Sequence, residues 1–321
     1  MTTGTTDEIV QATAEKYRNW GKWGDDDQLG TLNYITPEKI KEAAGLVKQG
    51  KVIAMGTPFD SDGCQTGGIG RFNPIHQMIA TGTDAVAGVQ LFQGEPMPHG
   101  LGYADDTVSM PLQCAAQWDA LSHLFHQGRM WNGYSAGEVT AAGAGRNGIQ
   151  EMKDKIVSRG VFLDVARFKG VDYLEPGYAI TEEDLVACAE SEGVTIGTGD
   201  IVIVRTGQMG YCKKNGWGTY AGGDSPGLSF YTADWLHRTE IAGVATDTWG
   251  FEVRPNELEG SFQPLHCVTI PNMGLLVGEI LDLEALSEDC AADGVYEFMF
   301  VALPLAITGG VGSPINPQAI K

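Results

Sequence analysis

Four short apolar runs along the chain have the pattern of β-strands. The run GDIVIVRTG (199–207) is rich in β-branched residues and bounded by glycine, which is typical of an interior strand buried on both faces. The segments RGVFLDVARF (159–168), IAGVATDT (241–248) and YEFMFVALPLAI (296–307) predict three further strands. Between residues 51 and 110, glycine and proline recur too often for long helices, so the pattern there predicts short strands and loops.

Polar capping residues mark where helices begin. Thr36 precedes Pro37, which suits the first position of a helix, so a helix is expected over 37–49. Thr181 and Asp184 have the spacing of a capping box at the start of another helix. Two more helices are predicted near 232–240 and 282–291. Helices and strands therefore alternate along the chain, which is typical of an α/β protein.

Composition limits the classes of function. The length of 321 residues suits one large α/β domain over 1–321. A net charge of -20, from 41 acidic and 21 basic residues, repels phosphate backbones and anionic lipids, so neither nucleic acid nor a membrane is an expected partner. No glycine-rich phosphate loop occurs, so no nucleotide cofactor is expected. Scattered cysteines and the lack of a signal-like N-terminus indicate a reduced, cytoplasmic protein.

Candidate chemistry is concentrated in the segment QCAAQWDALSHLFHQG (113–128). His123 follows Asp119 by four residues, close enough for the carboxylate to orient the imidazole if the segment is helical or tightly turned. The pair suits a general base, and the alternative is a buried structural histidine satisfied by its neighbour. Trp118 can line a substrate pocket or pack in the core, and His76, in a loop, can contact substrate or be structural.

Seven segments, taken in order, carry a resemblance to a known family. They are NWGKWGDDDQLGTLNYITPE, QWDALSH, RGVFLDV, GDIVIVRTG, DTWGFE, the His266–Glu279 segment and PLAITGGVGSPINP. Together they resemble the cyclase family of metal-dependent hydrolases, which includes kynurenine formamidases and isatin hydrolases. The resemblance extends over nearly the whole chain and is more specific than any one motif. It implies an α/β fold of the swivelling β/β/α type, in which a central, barrel-like mixed sheet is flanked by helices.

The family's motif HxGTHxDxPxH aligns with residues 113–123. Asp119 matches the metal-binding aspartate, and His123 matches the histidine that serves as general acid/base. The two ligand histidines of the family are replaced by Gln113 and Gln117, and its proline is replaced by leucine. An amide oxygen is a weaker, neutral donor where imidazole is the usual zinc ligand, so the expected metal affinity is lower than in the family.

Two later metal ligands of the family match His266 and Glu279. The resemblance therefore implies a ligand set of Asp119, His266 and Glu279, with Gln113 and Gln117 as additional oxygen donors. An oxygen-rich set suits Mn²⁺ or Mg²⁺ better than Zn²⁺. A divalent metal, Mn²⁺ or Zn²⁺, and a site without metal remain the two alternatives.

Three functions are compatible with these residues. The first is hydrolysis of a small cyclic or acyl amide or ester, such as a lactam, lactone or N-formyl group, by water attack at the carbonyl with His123 as general acid/base. In this hypothesis Gln113, Gln117, Trp118 and His76 contact the substrate. The second is a metal-independent lyase, dehydratase or cyclase in which His123 transfers a proton. The third, ranked last, is a non-catalytic binding protein.

The resemblance also implies a homo-oligomer, a dimer or tetramer, formed partly by exchange of N-terminal arms. Residues 1–35 are the corresponding arm, and Trp20 and Trp23 lie in its glycine-rich loop. Either a subunit contact or packing against the same chain explains these tryptophans.

Overall fold

A computed structural model of the chain describes residues 4–321. The α-helices of this part are α1 (Thr6–Lys16), α2 (Pro37–Ala44), α3 (Gly82–Val86), α4 (Val165–Phe168), α5 (Glu182–Glu192), α6 (Gln208–Asn215), α7 (Ala233–Arg238), α8 (Pro264–Val268) and α9 (Glu284–Asp293). A π-helical turn, Thr269–Met273, follows α8 directly.

The strands of the same part are β1 (Val52–Ala54), β2 (Ile75–Ala80), β3 (Leu91–Phe92), β4 (Glu95–Pro96), β5 (Asp105–Ser109), β6 (Gln117–Asp119), β7 (Val139–Thr140), β8 (Gly143–Ala144), β9 (Val157–Asp164), β10 (Ala179–Ile180), β11 (Ile201–Arg205), β12 (Gly227–Leu228), β13 (Gly243–Thr246), β14 (Leu276–Glu279), β15 (Glu297–Val301), β16 (Gly312–Pro314) and β17 (Gln318–Ile320).

A nine-stranded sheet forms the frame of the molecule, in the order β1-β17-β15-β9-β11-β13-β14-β6-β16. The middle strands β9, β11, β13 and β14 are parallel, and the strands on either side pair antiparallel. The sheet is curled into a half-barrel and accompanied by helices. This architecture confirms the expected α/β fold with a central, barrel-like mixed sheet.

The parallel centre of the sheet is buried on both faces. Every residue of β11 is buried, as its β-branched run predicts, and β13 and β14 are likewise buried along their full lengths. The main hydrophobic core contains residues from Val10 near the start to Ala319 near the end of the chain. The strand ends that carry polar residues are therefore held in a rigid, water-poor setting.

Helix starts agree with the capping pattern. The Thr36 hydroxyl accepts a hydrogen bond from the Lys39 backbone N–H, and Thr181 and Asp184 form the expected capping box. The helix expected over 37–49 ends at Ala44. Beyond it the backbone N–H groups of Leu46 and Val47 bond to carbonyls three residues earlier, as in a tight turn, instead of four residues earlier, as in an α-helix. No helix among residues 4–321 has the length and apolar character needed to span a bilayer.

Two predicted strands end earlier than expected. The strand expected over 159–168 stops at Asp164, whose carboxylate accepts a hydrogen bond from the Arg167 backbone N–H and so begins α4. The strand expected over 296–307 stops at Val301. Pro304 lacks the N–H that a continued ladder would need, which explains this end.

Residues 4–35 pack on their own chain. The Trp20 indole donates a hydrogen bond to the Pro271 carbonyl, and Trp23 lies 6.0 Å from Trp131, measured between ring centroids. In contrast, β2 and β5 form a two-stranded ribbon in which ten of eleven side chains are exposed. Many of the exposed large apolar residues, among them Ile79 and Phe92, lie on this ribbon and its connections, whereas residues 4–35 carry none.

Candidate active site

Strand β6 presents its polar side chains on one face of the sheet. Gln117 and Asp119 are two positions apart and therefore point the same way, whereas Trp118 points to the opposite face. Trp118 is fully buried, donates its indole N–H to the Ala302 carbonyl and packs edge-on against Phe300. Trp118 therefore lies in the hydrophobic core, because strand alternation directs it away from the polar face. The prediction that it contacts the substrate is wrong.

The last residue of β14, Glu279, lies directly across from Gln117 in the antiparallel pair. Its carboxylate accepts hydrogen bonds from Gln117 Nε2 at 3.0 Å and from the Phe251 backbone N–H at 3.1 Å. The same Gln117 amide group lies 3.4 Å from Asp119 Oδ1. One amide therefore bridges the two carboxylates on this face.

His266 is held by carboxylates on both ring nitrogens. Its Nδ1 lies 2.5 Å from Glu252 Oε1, and its Nε2 lies 3.0 Å from Glu279 Oε1. Glu252 also accepts hydrogen bonds from the backbone N–H groups of Leu265 and His266, which begin α8. Burial lowers the pKa of an imidazole, but hydrogen bonds to Glu252 and Glu279 outweigh this effect and raise the pKa of His266 to about 10.

Asp119 is almost completely buried, with 1 % of its surface exposed. Burial, and then the neighbouring Glu279 carboxylate, raise the pKa of Asp119 above its ordinary value. Two carboxylates so close together in a dry setting call for a compensating positive charge, which either a protonated His266 or a bound cation supplies. The cluster is therefore electrostatically suited to a cation.

His123 reaches the cluster through a tight turn that follows β6. Its backbone N–H donates to the Ala120 carbonyl, and its Nε2 lies 3.7 Å from Asp119 Oδ1. The His123 side chain is 18 % exposed, against 1 % for Asp119, so it faces the approach from solvent. Burial, with the positive charges of Arg71 and His266, lowers the pKa of His123, which leaves the imidazole neutral at pH 7 and able to accept a proton.

Gln113 lies on the same face of the sheet. A Cβ atom at Gly312 would come within 2.5 Å of Gln113 Nε2, and Gly312 is paired with Asp119 in the sheet. Gln113 Nε2 and Gln117 Oε1 are both buried without a hydrogen-bond partner among the described residues. Each of these glutamines therefore has a polar atom that a ligand can satisfy.

The residues present fit a divalent metal ion. One ligand atom from each of Asp119, His266 and Glu279 lies within 4.8 Å of the others, and all three residues are buried. A carboxylate on the second nitrogen of a ligand histidine, as Glu252 provides, is the usual way in which proteins orient such a ligand. The unpaired Gln117 Oε1 adds an oxygen donor of the kind that Mn²⁺ and Mg²⁺ accept.

The remaining histidines lie elsewhere. His76 is on the exposed ribbon, where its Nε2 is 2.8 Å from Asp106 Oδ2, so the structure pairs this predicted substrate contact with another surface residue. His126 accepts a hydrogen bond from Asn272, and His237 contacts Asn19.

Sequence reasoning missed two residues beside the cluster, Glu252 and Gln263. A Cβ at Gly250 would lie 3.4 Å from Gln263 Nε2 and 3.9 Å from both Glu279 Oε1 and His266 Cε1, which places Gln263 next to the cluster. Gln263 carries no sequence signal of its own, because its position depends on a left-handed turn before α8. Glu252 lies in the DTWGFE segment, which contributed to the resemblance without a role for the glutamate.

Comparison with known proteins gives consistent matches. A family profile described as "Putative cyclase" matches residues 68–253. A crystal structure described as a novel cyclase is 39% identical, with a TM-score of 0.88, and the alignment covers 96% of this chain and 99% of that chain. No curated protein matches the sequence.

Two isatin hydrolases share the fold at low identity. Isatin hydrolase A from Labrenzia aggregata, solved with bound benzyl benzoate, is 18% identical with a TM-score of 0.59, over 86% of this chain and 94% of that chain. Isatin hydrolase A from Ralstonia solanacearum is 15% identical with a TM-score of 0.60, over 84% and 91%.

Proposed function

This chain belongs to the cyclase family, and from that premise we propose that it is an enzyme that hydrolyses a cyclic or acyl amide or ester of a small organic molecule. A lactam, a lactone and an N-formyl group are the substrate types that fit this reaction. The observation that carries the proposal is the buried cluster of Asp119, His266 and Glu279 with the partly exposed His123 beside it. The two isatin hydrolases with the same fold support hydrolysis as the reaction class.

The metal centre in this proposal consists of Asp119, His266 and Glu279, with the amide oxygens of Gln113 and Gln117 as further donors. Of these two oxygens, that of Gln117 is buried and without a partner among the described residues. When bound, a divalent ion supplies Lewis-acid polarisation and lowers the pKa of water. The oxygen-rich donor set favours Mn²⁺, and Zn²⁺ is the alternative. Glu252 holds the His266 ring in the orientation that leaves Nε2 for the centre.

His123 carries the proton in this reaction. As water oxygen bonds to the carbonyl carbon, His123 takes the water proton, and the carbonyl π electrons move to oxygen. When the carbonyl re-forms, the C–N or C–O bond breaks and His123 returns the proton to the departing nitrogen or oxygen. A linear substrate gives a carboxylic acid and an amine or alcohol, whereas a lactam or lactone gives one ring-opened product that carries both groups. Asp119, 3.7 Å from the His123 ring, stabilises the charge that the imidazole briefly bears.

Gln113 supplies a hydrogen-bond donor on the same face. Its Nε2 is buried and has no partner among residues 4–321, so donation to a substrate carbonyl oxygen would satisfy it. A donor fixed in advance by packing stabilises negative charge on that oxygen without reorganisation. Gln113 therefore contributes to substrate binding in this proposal.

The test combines metal content with turnover. Protein purified without chelator is analysed for metals, together with Asp119→Ala, and both are screened against N-formyl amides, lactams and lactones. We expect near-stoichiometric metal in the wild type and a large loss in Asp119→Ala, and we expect His123→Ala to retain metal but lose turnover by about 10²- to 10⁴-fold. Full turnover in His123→Ala would contradict the assigned role.

A second candidate reaction, a metal-independent lyase, dehydratase or cyclase, is supported by one observation. The Gln117 amide donates to both Glu279 and Asp119, so these carboxylates are partly satisfied without an ion. In this candidate His123 moves a proton next to a carbonyl. Activity that persists in EDTA, in protein without measurable metal, would favour this candidate. Activity that disappears in EDTA and returns with Mn²⁺ would eliminate it.

We propose further that the enzyme is a homo-oligomer in which a second copy of the chain covers the ribbon of β2 and β5. An isolated two-stranded ribbon is marginally stable in water. Here Ile79 is 70% exposed, and Phe92, on the connection between the strands, is 55% exposed. We expect Ile79→Asp with Phe92→Asp to reduce the mass measured by light scattering. An unchanged mass, or a monomeric wild type, would refute this interface.

A further inference from the structure

The loop over residues 66–72 is fixed at its base by the Asn73 side chain, which makes two hydrogen bonds to the Gln65 backbone. The Gln65 backbone N–H donates to Asn73 Oδ1 at 2.8 Å, and Asn73 Nδ2 donates back to the Gln65 carbonyl at 3.1 Å. The loop itself turns through the left-handed conformations of Gly67 and Gly70. Arg71 directly follows Gly70 and precedes Asn73, so it lies at the end of the loop that returns to Gln65.

Gln65 connects this loop to the candidate active site. Its buried amide donates from Nε2 to the Cys114 carbonyl at 3.0 Å, next to Gln113 in the chain. Its Oε1 accepts the indole N–H of Trp249 at 3.3 Å. Trp249 precedes Gly250, whose Cα faces His266 and Glu279. The loop is thereby tied to both chain segments that flank the cluster.

Arg71 projects its guanidinium over the Trp249 ring, 5.0 Å from the ring centroid. Its side chain makes no ion pair or hydrogen bond with any residue of the described chain, although acidic residues outnumber basic ones by 41 to 21. The buried Arg205 behaves differently, because its guanidinium donates to Asp164, to Glu284 and to the Asp172 carbonyl. The Arg71 donors remain free for a ligand.

Arg71 reaches the cluster through Trp249. Its guanidinium lies 5.0 Å from the Trp249 ring centroid, and Trp249 immediately precedes Gly250, where an added Cβ would lie 3.9 Å from both His266 Cε1 and Glu279 Oε1. A substrate that is bound at the cluster and extends along the Trp249 segment would meet this cation.

We propose that Arg71, backed by Trp249, forms a subsite that binds a carboxylate group of the substrate, separate from the bond that is cleaved. A guanidinium presents two parallel N–H groups that match a carboxylate, and the indole face fixes its plane. One guanidinium carries a single positive charge, so it matches a monoanion better than a phosphate dianion. The subsite limits the substrate class to amides or esters that carry a free carboxylate, and its connection to catalysis rests on the proposed hydrolase function.

Binding is tested without turnover. Calorimetric titrations compare benzoate with benzamide, which has nearly the same shape but no charge, on wild type, Arg71→Met and Arg146→Met, with protein in EDTA and again with Mn²⁺. Arg146 is the matched control, because it also lies over an aromatic ring, 5.2 Å from the Tyr134 centroid, and is without an ion pair in the described chain. Circular dichroism melts verify that each variant is folded.

We expect benzoate to bind the wild type and the Arg146→Met variant equally, and to bind Arg71→Met about 10- to 100-fold more weakly, with benzamide unchanged. Benzoate binding that is absent from the wild type, or unaffected by Arg71→Met, would overturn the subsite. Arg71→Lys should recover part of the affinity if the fold is intact, because it keeps the charge but loses the bidentate geometry.

Turnover is tested separately with N-formylphenylalanine and N-formylphenylalaninamide. In the wild type we expect a higher kcat/KM for the carboxylate, and in Arg71→Met we expect that preference to disappear mainly through KM. If neither compound is hydrolysed while benzoate binding still depends on Arg71, the subsite stands and the proposed reaction fails. If both are hydrolysed with equal kcat/KM in the wild type, the reaction stands and the subsite fails.

Discussion

Replacement of Glu252 by glutamine tests how His266 is positioned. Glu252 is 2% exposed, and each of its carboxylate oxygens accepts from two donors. Oε1 receives the backbone N–H and the Nδ1 of His266, and Oε2 receives the Leu265 backbone N–H and the Asn256 amide. A glutamine has one acceptor oxygen, so in either orientation its NH₂ group faces two donors.

The magnitude follows from these contacts. A buried donor left without an acceptor costs about 1–3 kcal/mol, so two such donors, with partial relaxation, predict a decrease of about 2–4 kcal/mol in the free energy of unfolding for Glu252→Gln. Loss of the carboxylate behind a ligand histidine also predicts a 10- to 100-fold weaker affinity for Mn²⁺. Urea unfolding at pH 7 measures the first quantity, and the Mn²⁺ dependence of the melting temperature measures the second.

Glu257→Gln is the matched control for this prediction. Glu257 is also an acceptor for a backbone N–H, that of Phe230, but it is exposed and remote from His266 in the hydrogen-bond network. We expect its substitution to change the free energy of unfolding by less than about 1 kcal/mol, because water replaces what is lost. A Glu252→Gln protein as stable as the wild type, with the same Mn²⁺ response, would refute the positioning role.

Two further predictions concern the frame around the site. Burial raises the pKa of Glu192 to about 7, so the folded state keeps a proton that the unfolded state loses above its ordinary pKa of 4.5. The wild type should therefore lose stability relative to Glu192→Gln as pH rises from 4.5 to 7. The expected loss is up to about 3 kcal/mol, and nearer 1–2 kcal/mol after solvent screening. Urea unfolding at pH 5 and pH 8 measures it, and an equal change in the free energy of unfolding for the two proteins would contradict the prediction. A Cβ at Gly278 would lie 2.4 Å from the Trp118 ring, so Gly278→Ala should lower the free energy of unfolding by about 1–3 kcal/mol, as measured by thermal or urea unfolding. Gly82→Ala is the control and should be nearly neutral, because a Cβ at Gly82 would meet open space. Equal effects of the two substitutions would show that the sheet relaxes around the added methyl group.

Local chemistry was sufficient for the parts of the fold that depend on neighbouring residues. The β-branched run of β11 and the capping box of Thr181 and Asp184 are both present where the sequence predicted them. The shared face of Gln117 and Asp119 also follows from strand alternation alone. The same alternation could have placed Trp118 on the opposite, core face, and that signal was available in the sequence.

Contacts between distant segments were decided only by the tertiary structure. Glu252 meets His266 because the segment after β13 packs against the start of α8, and no spacing in the sequence predicts that approach. His76 was predicted near the substrate, but it lies on an exposed ribbon beside Asp106. Arg71 lies over Trp249 because Asn73 closes the loop that carries Arg71 and Gln65 joins this loop to Trp249 and to the Cys114 carbonyl. Local patterns specify which face a side chain takes within its own element, whereas sheet order, register and loop closure determine which side chains meet, and those depend on the packing of the whole chain.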